Sequence, residues 1–276
     1  MVLTSVTGSK STFIDILSQR EQLYQDKTAL VELDRDGREC ERISYSDLIA
    51  SAKVTATSIL KRPVAGKTCL ILSSPGLDFA IALLACFYAG VIAVPVHPPR
   101  KKKRNERLSG IIKDAQPACQ LQSHEYHKMI SEGSSGNHGL SNLPGILISR
   151  ISSTGKEQFH LPQIKPDDIA LLQYSSGTTG CPKGSVITHK NIMHNSVVIQ
   201  KAFNHDPDMV VVTWLPPYHD MGLIGTLLQP IFMGGTNIII NPYDFLRNPV
   251  IWLEDISKYN GTTAGCPNFA LDLLAE

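Results

Sequence analysis

The chain has 276 residues, 42% hydrophobic and 18% charged, and its 26 basic residues nearly cancel 25 acidic ones to leave a net charge of +1. That length is a prior for one large or two ordinary domains with a sizeable core. Near-neutrality gives no global field toward nucleic acid or a membrane surface. Six cysteines with no C-x-x-C pair speak against a disulfide framework and for reduced thiols in a cytoplasmic protein.

The N-terminal MVLTSVTGSKSTF lacks the basic-then-apolar order of a signal peptide. Residues 68–73, TCLILS, form a strand pattern. FAIALLACFYAGVIAVPV at 79–96 carries no charge over eighteen residues, near the threshold for a membrane span. Pro75-Gly76-Leu77-Asp78 is instead a helix start, Gly90 a helix stop, and 91–96 a β-branched run. A buried helix over 78–89 and a buried strand over 91–96 follow, and Gly90 and Pro95 argue against a span. The basic run RKKKRNER at 100–107 is a solvated loop, with an acidic carrier protein as a possible contact and nucleic acid the weaker option. A short helix is expected over 108–115.

Residues 131–168 are rich in Gly, Ser, Asn and Pro, which marks a loop-rich connection. Alternation then resumes. A strand is expected over 169–174 and a brief extended piece at 186–187. Thr188 is the N-cap of a helix over 189–203. Strands over 209–214, 236–240 and 262–264 alternate with helices over 222–232 and 249–259. NFALDLLAE at the end has a helical pattern with no stop, so the architecture is expected to be truncated there. The order implies an α/β fold, with largely parallel sheets flanked by helices. The subregions are a first α/β part at 1–130, the connection at 131–168, and a loop-bearing α/β part at 169–276.

QYSSGTTGCPKGS at 173–185 holds four hydroxyls from Ser175 to Thr179, three glycines and one lysine, with no carboxylate. Glycines after a strand let backbone N–H groups converge on an anion, hydroxyls add rotatable donors, and a lysine supplies a point charge. This is a cradle for pyrophosphate or triphosphate; a flexible surface loop is the plainer alternative. It is not the P-loop, because Lys183 follows Pro182 and the glycine spacing differs. G-x-G-x-x-G is absent, which removes support for a dinucleotide site. His124/His127 and His189/His194 lack the partners of a zinc site, so no protein metal site is expected.

YSSGTTGCPKG resembles the phosphate-binding signature of the adenylate-forming (AMP-binding) superfamily. WLPPYHDMGLIG at 214–225 is similar to the matching motif of its fatty acyl-AMP ligases, as are Gln173, AVPVHPPR at 93–100 and CPNFA at 266–270. The resemblance spans nearly the whole chain, but only the first half of a family member. It implies that 1–276 is part of the large N-terminal adenylation domain. The implied reaction uses ATP and Mg²⁺ to turn a fatty acid into an acyl-adenylate, for an acyl carrier protein of a polyketide or peptide synthase.

By the same resemblance, Ser175, Ser176, Gly177, Thr178, Thr179, Gly180 and Lys183 hold the β- and γ-phosphates. Ser185 departs from the usual small apolar residue. His219 lies near the acyl carboxylate and α-phosphate, while Asp220 either orients it or caps the next helix. Met221, Gly222, Leu223 and Ile224 begin a wall of the acyl tunnel, or belong to the core. The family's later motifs for Mg²⁺, ribose and a C-terminal lysine are not found, so the chain alone is expected to adenylate little. A long-chain acyl-CoA synthetase and a non-catalytic binding module remain as alternatives.

Overall fold

A computed structural model describes residues 11–99, 106–132, 139–151, 160–175 and 182–275. The elements in chain order are α1 (Phe13–Leu23), β1 (Thr28–Leu33), β2 (Glu39–Ser44), α2 (Tyr45–Leu60), β3 (Thr68–Leu72), α3 (Leu77–Ala89), β4 (Ile92–Pro95), α4 (Glu106–Ala115), β5 (Cys119–Gln122), α5 (His124–Ser131) and a 3-10 turn (Leu140–Asn142). Then come β6 (Gly145–Leu147), β7 (Ile169–Ser175), β8 (Lys183–Thr188), α6 (His189–Phe203), β9 (Val210–Thr213), a π-helix (Met221–Leu228), α7 (Gln229–Met233), β10 (Thr236–Ile239), α8 (Pro242–Arg247), α9 (Val250–Lys258) and α10 (Asn268–Ala275).

The strands form two sheets. One has six strands in the order β6-β5-β3-β4-β7-β8, and the other four in the order β2-β1-β10-β9. All pairings are parallel except β7 with β8 and β1 with β2. The chain is therefore α/β, with largely parallel sheets flanked by helices. The four-stranded sheet joins segments from opposite ends of the sequence, since Leu30 of β1 pairs with Asn237 of β10.

Helix α3 explains the uncharged run. Every residue from Leu77 to Ala89 is buried except Asp78. It packs on α2, on β3 and β4 of one sheet, and on β1 of the other. A helix enclosed on all sides is apolar all round, without crossing a bilayer. No described helix is long and apolar enough to span a membrane. Gly90 ends α3 in the left-handed region at φ 63°, a conformation that costs glycine nothing.

Two further apolar clusters cover the outer faces. One sets Trp214 of the segment after β9 against Phe245 and Trp252 of α8 and α9, and the other sets Tyr174 against Leu108 and Ile111 of α4. Three buried thiols share the main core, Cys69 of β3, Cys86 of α3 and Cys119 of β5, with the Cys119 and Cys69 Sγ atoms 3.3 Å apart. Their hydrogen bond and burial push the Cys119 thiol up. Cys40, Cys69, Cys86, Cys119 and Cys266 are all free.

The structure departs from sequence expectation in three places. The brief extended piece at 186–187 is the end of a six-residue strand, Lys183–Thr188. The expected strand at 262–264 is a single bridge from Thr263 to Val211. The expected helix over 222–232 divides into the π-helix and α7. The Thr226 hydroxyl donates to the Gly222 carbonyl at 2.9 Å, and such back-bonding competes with the regular helical ladder.

Candidate active site

Ligands of open α/β sheets bind outside the carboxyl ends of the strands. Here β4 leads to His97, β7 leads to Tyr174 and Ser175, and the segment after β9 leads to Tyr218 and His219. Four of these residues line a site there. His97, Tyr174, Tyr218 and His219 join Arg107 of α4 around a cavity of about 270 Å³. Pro95, Val96, Leu108 and Ile111 make up its apolar wall.

The hairpin of β7 and β8 sets the position of the glycine-rich loop. Its register pairs Gln173 with Ser185, Tyr174 with Gly184 and Ser175 with Lys183. Both ends of the loop are thus held together at the carboxyl end of β7. Ser175 and Lys183 are both exposed. Ser176, Gly177, Thr178, Thr179 and Gly180 lie outside the described residues.

The hairpin is tied to the His219 segment by one side chain. Gln173 Nε2 donates to the Tyr218 carbonyl at 2.9 Å. Gln173 Oε1 is buried with no hydrogen-bond partner among the described residues. Gly184 lies under the Tyr174 ring, where an added Cβ would be 2.9 Å from Tyr174 Cζ. Thr188 caps α6 in a capping box with Asn191, worth about 1 kcal/mol.

His219 is exposed but lines the cavity, where neighbouring atoms partly desolvate its ring. That desolvation, then the Arg107 charge and the His97 ring, hold its pKa below 6.5 against the opposing pull of Asp220. A neutral imidazole offers one donor and one acceptor. Asp220 is a cap, because its Oδ1 accepts from the Met221 N–H at 2.7 Å. His97 Nδ1 lies 2.8 Å from the Pro98 carbonyl and its Nε2 3.3 Å from the Tyr243 hydroxyl.

The Met221–Ile224 stretch is mixed. Met221 is exposed, Gly222 and Leu223 are buried, and Ile224 is half-buried. Leu223 belongs to the main core. Behind Gly222 and Thr226 the free space is about 10 Å³, room for one water.

One residue of the cavity escapes motif reading. Arg107 sits in the basic run expected to be a solvated loop, yet it is helical and its Nη2 donates to the Tyr174 carbonyl at 3.2 Å. Residues 100–105 of that run lie outside the described residues. His97 lies within AVPVHPPR, so the motif is the only signal that could have found it.

A larger cavity of about 780 Å³ opens beyond β3, β5 and β6. Its polar wall includes Glu32 and Asp78, and burial and Glu32 push Asp78 up to about 6. Arg150 bridges Asp78 and Glu41. An acidic wall disfavours an anionic ligand, so the smaller cationic cavity fits phosphate chemistry better. Among the described residues, no group of three or more His, Cys, Asp or Glu could hold a metal ion.

A family model described as AMP-binding enzyme matches residues 17–276. The chain belongs to the AMP-binding enzyme family. Among its AMP-binding relatives is the medium-chain-fatty-acid–[acyl-carrier-protein] ligase JamA of Moorena producens, 34% identical over 95% of this chain and 45% of the relative. The TtuA ligase of the same description from Teredinibacter turnerae is 33% identical over 89% of this chain and 43% of its own. The fatty acyl-adenylate ligase of L. pneumophila, solved in complex with acyl adenylate and pyrophosphate, superposes with a TM-score of 0.85 at 34% identity. That match covers 95% of this chain and 45% of the other. This AMP-binding chain therefore spans somewhat under half the length of these relatives.

Proposed function

We propose that the chain is part of a cytoplasmic fatty acyl-AMP ligase. It would activate a fatty acid with ATP and pass the acyl group to the phosphopantetheine arm of an acyl carrier protein. The carrier is favoured over CoA as acceptor because both curated relatives above are named as carrier-protein ligases. We assign 1–276 to a partial adenylation domain, with 131–168 connecting its two α/β parts.

One observation carries the reading. The Ser175–Lys183 register brings both ends of the glycine- and hydroxyl-rich segment together next to Tyr174, which lines the cavity with His97, Arg107 and His219. In the reaction, a carboxylate oxygen attacks the α-phosphorus and the bond to the bridging oxygen breaks. Pyrophosphate leaves with that electron pair. Ser175, Ser176, Gly177, Thr178, Thr179, Gly180 and Lys183 are assigned to stabilise charge gathering on the β- and γ-phosphates, which would lower the barrier electrostatically. His219 orients the acyl carboxylate or the α-phosphate. Met221, Gly222, Leu223 and Ile224 are assigned to the start of the acyl wall. Mg²⁺ would neutralise phosphate charge when bound, and the described residues supply no cluster for it.

The test is calorimetric titration of this chain with ATP and with inorganic pyrophosphate. Lys183→Ala should weaken pyrophosphate binding about tenfold, as for the loss of one charge-assisted contact. Equal affinity in the two proteins would remove Lys183 from the role. No binding by the unmodified chain would overturn the nucleotide reading.

A further inference from the structure

Helix α4 meets the hairpin through residues that recur every three or four positions, and so share one face. The Arg107 guanidinium donates to the Tyr174 carbonyl at 3.2 Å. Three residues on, Gly110 receives the Pro182 ring, whose Cγ would lie 3.1 Å from an added Cβ. At the next turn, Asp114 Oδ2 accepts from the Tyr174 hydroxyl at 2.5 Å. Leu108 and Ile111 bury their side chains with Tyr174 in one cluster. The hairpin is thus gripped on both sides of the loop, at Tyr174 of β7 and at Pro182 just before β8.

Arg107 has a second contact surface. With His219 it forms part of the wall of the 270 Å³ cavity. A cation in the first turn of a helix opposes the helix dipole, so local helix stability does not account for this residue. Its position is explained by what it reaches.

We propose that α4 is a clamp that sets the glycine-rich hairpin against the His219 cavity, with Arg107 as the positioning residue that couples the two. The link to catalysis rests on the function proposed above; the clamp itself does not. The groups facing His219 are Arg107 from α4, His97 after β4, Tyr174 of β7, and Tyr218 and Asp220 beside it. Of these, Arg107 is the fixed cation. After burial, which comes first, its charge adds to what disfavours the His219 imidazolium.

The experiment is an NMR titration of the His219 ring in this chain without nucleotide, assigned by the signal lost in His219→Gln. Arg107→Gln should raise the His219 midpoint, while Arg107→Lys, which keeps the charge, should leave it near its starting value. Tyr174→Phe removes the bond to Asp114 and should move the Lys183 and Gly184 amide signals with the His219 midpoint unchanged. It also serves as the independent variant should Arg107→Gln fail to fold. An unmoved midpoint in Arg107→Gln, or Tyr174→Phe shifts confined to α4, would overturn the clamp. Failure of the unmodified chain to bind pyrophosphate would overturn the function reading alone, since the midpoint is measured without ligand.

Discussion

His189 stands at the foot of the hairpin, as the first residue of α6, and is only 2% exposed. Its ring meets Phe87 of α3 edge-on at 5.1 Å, and its Nδ1 is buried with no partner among the described residues. Burial drives its pKa from 6.5 down to about 4, against weaker opposition from Asp168 and Asp15. Above pH 6.5 the imidazole is neutral in folded and unfolded chains alike, and no stability is lost. Below it, the unfolded chain takes up a proton that the folded chain refuses until about pH 4. At about 1.4 kcal/mol per pH unit, the full window costs about 3 kcal/mol. Asp78 and Asp255, both raised to about 6 by burial, act in the opposite sense and gain stability as pH falls. The informative quantity is therefore a difference from His189→Leu, which keeps the bulk and removes the titration. Urea unfolding at about pH 7.5 and about pH 4.5 should show the unmodified chain losing about 2–3 kcal/mol relative to the variant. At the higher pH the variant should match or exceed the parent, because a buried polar atom without a partner is gone. Parallel stability curves would refute the claim that His189 is held neutral by burial.

Two other substitutions probe the frame of the site. Gly222→Ala would drive a Cβ into the Pro216 carbonyl oxygen in the turn that presents His219. The expected cost is about 1–3 kcal/mol, and the His219 NMR signal should shift with it; an unshifted signal would separate that turn from Gly222. Phe87→Ala empties a site that is 0% exposed and lies 5.9 Å from the Phe13 ring. Chemical denaturation should show a loss of about 3–5 kcal/mol, and a loss below 1 kcal/mol would mean that the core collapses around the gap.

Where local chemistry decides an element, the sequence is enough to find it. The charge-free run around Leu83 and Phe87 marks a helix enclosed on every side, and Thr188 marks the start of α6 because a hydroxyl there caps free N–H groups. Residues before 68 show how the signal fails. Helix α2 carries Val54, Thr55, Thr57 and Ile59, whose β-branched chains blur its period, and four of the six residues in β2 are exposed, so no alternation appears. The pairing of Leu30 with Asn237 is set by packing across the whole chain and leaves no local trace. The site divides in the same way. Ser175, Lys183 and His219 announce themselves through motifs. Arg107 does not, because a basic run is usually solvated and only the approach of α4 to β7 gives this arginine a partner.

The two sheets matter to the chemistry because the site draws on both. The hairpin ends in the six-stranded sheet, whereas His219 follows β9 of the four-stranded one. In the proposed reaction, a phosphate held by the loop and a carboxylate oriented by His219 would have to meet within bonding reach, which would make the distance between the sheets a catalytic quantity. Near the site that distance is held by the Gln173 bond to the Tyr218 carbonyl. Deeper in, it is fixed by α3, which fills the space between β1 and the pair β3 and β4. Hydrogen bonds aim the reacting groups, and the buried helix keeps the surfaces that carry them apart by a constant thickness. A densely packed interior transmits strain rather than absorbing it, so a cavity at Phe87 would reach His219 although the two never touch.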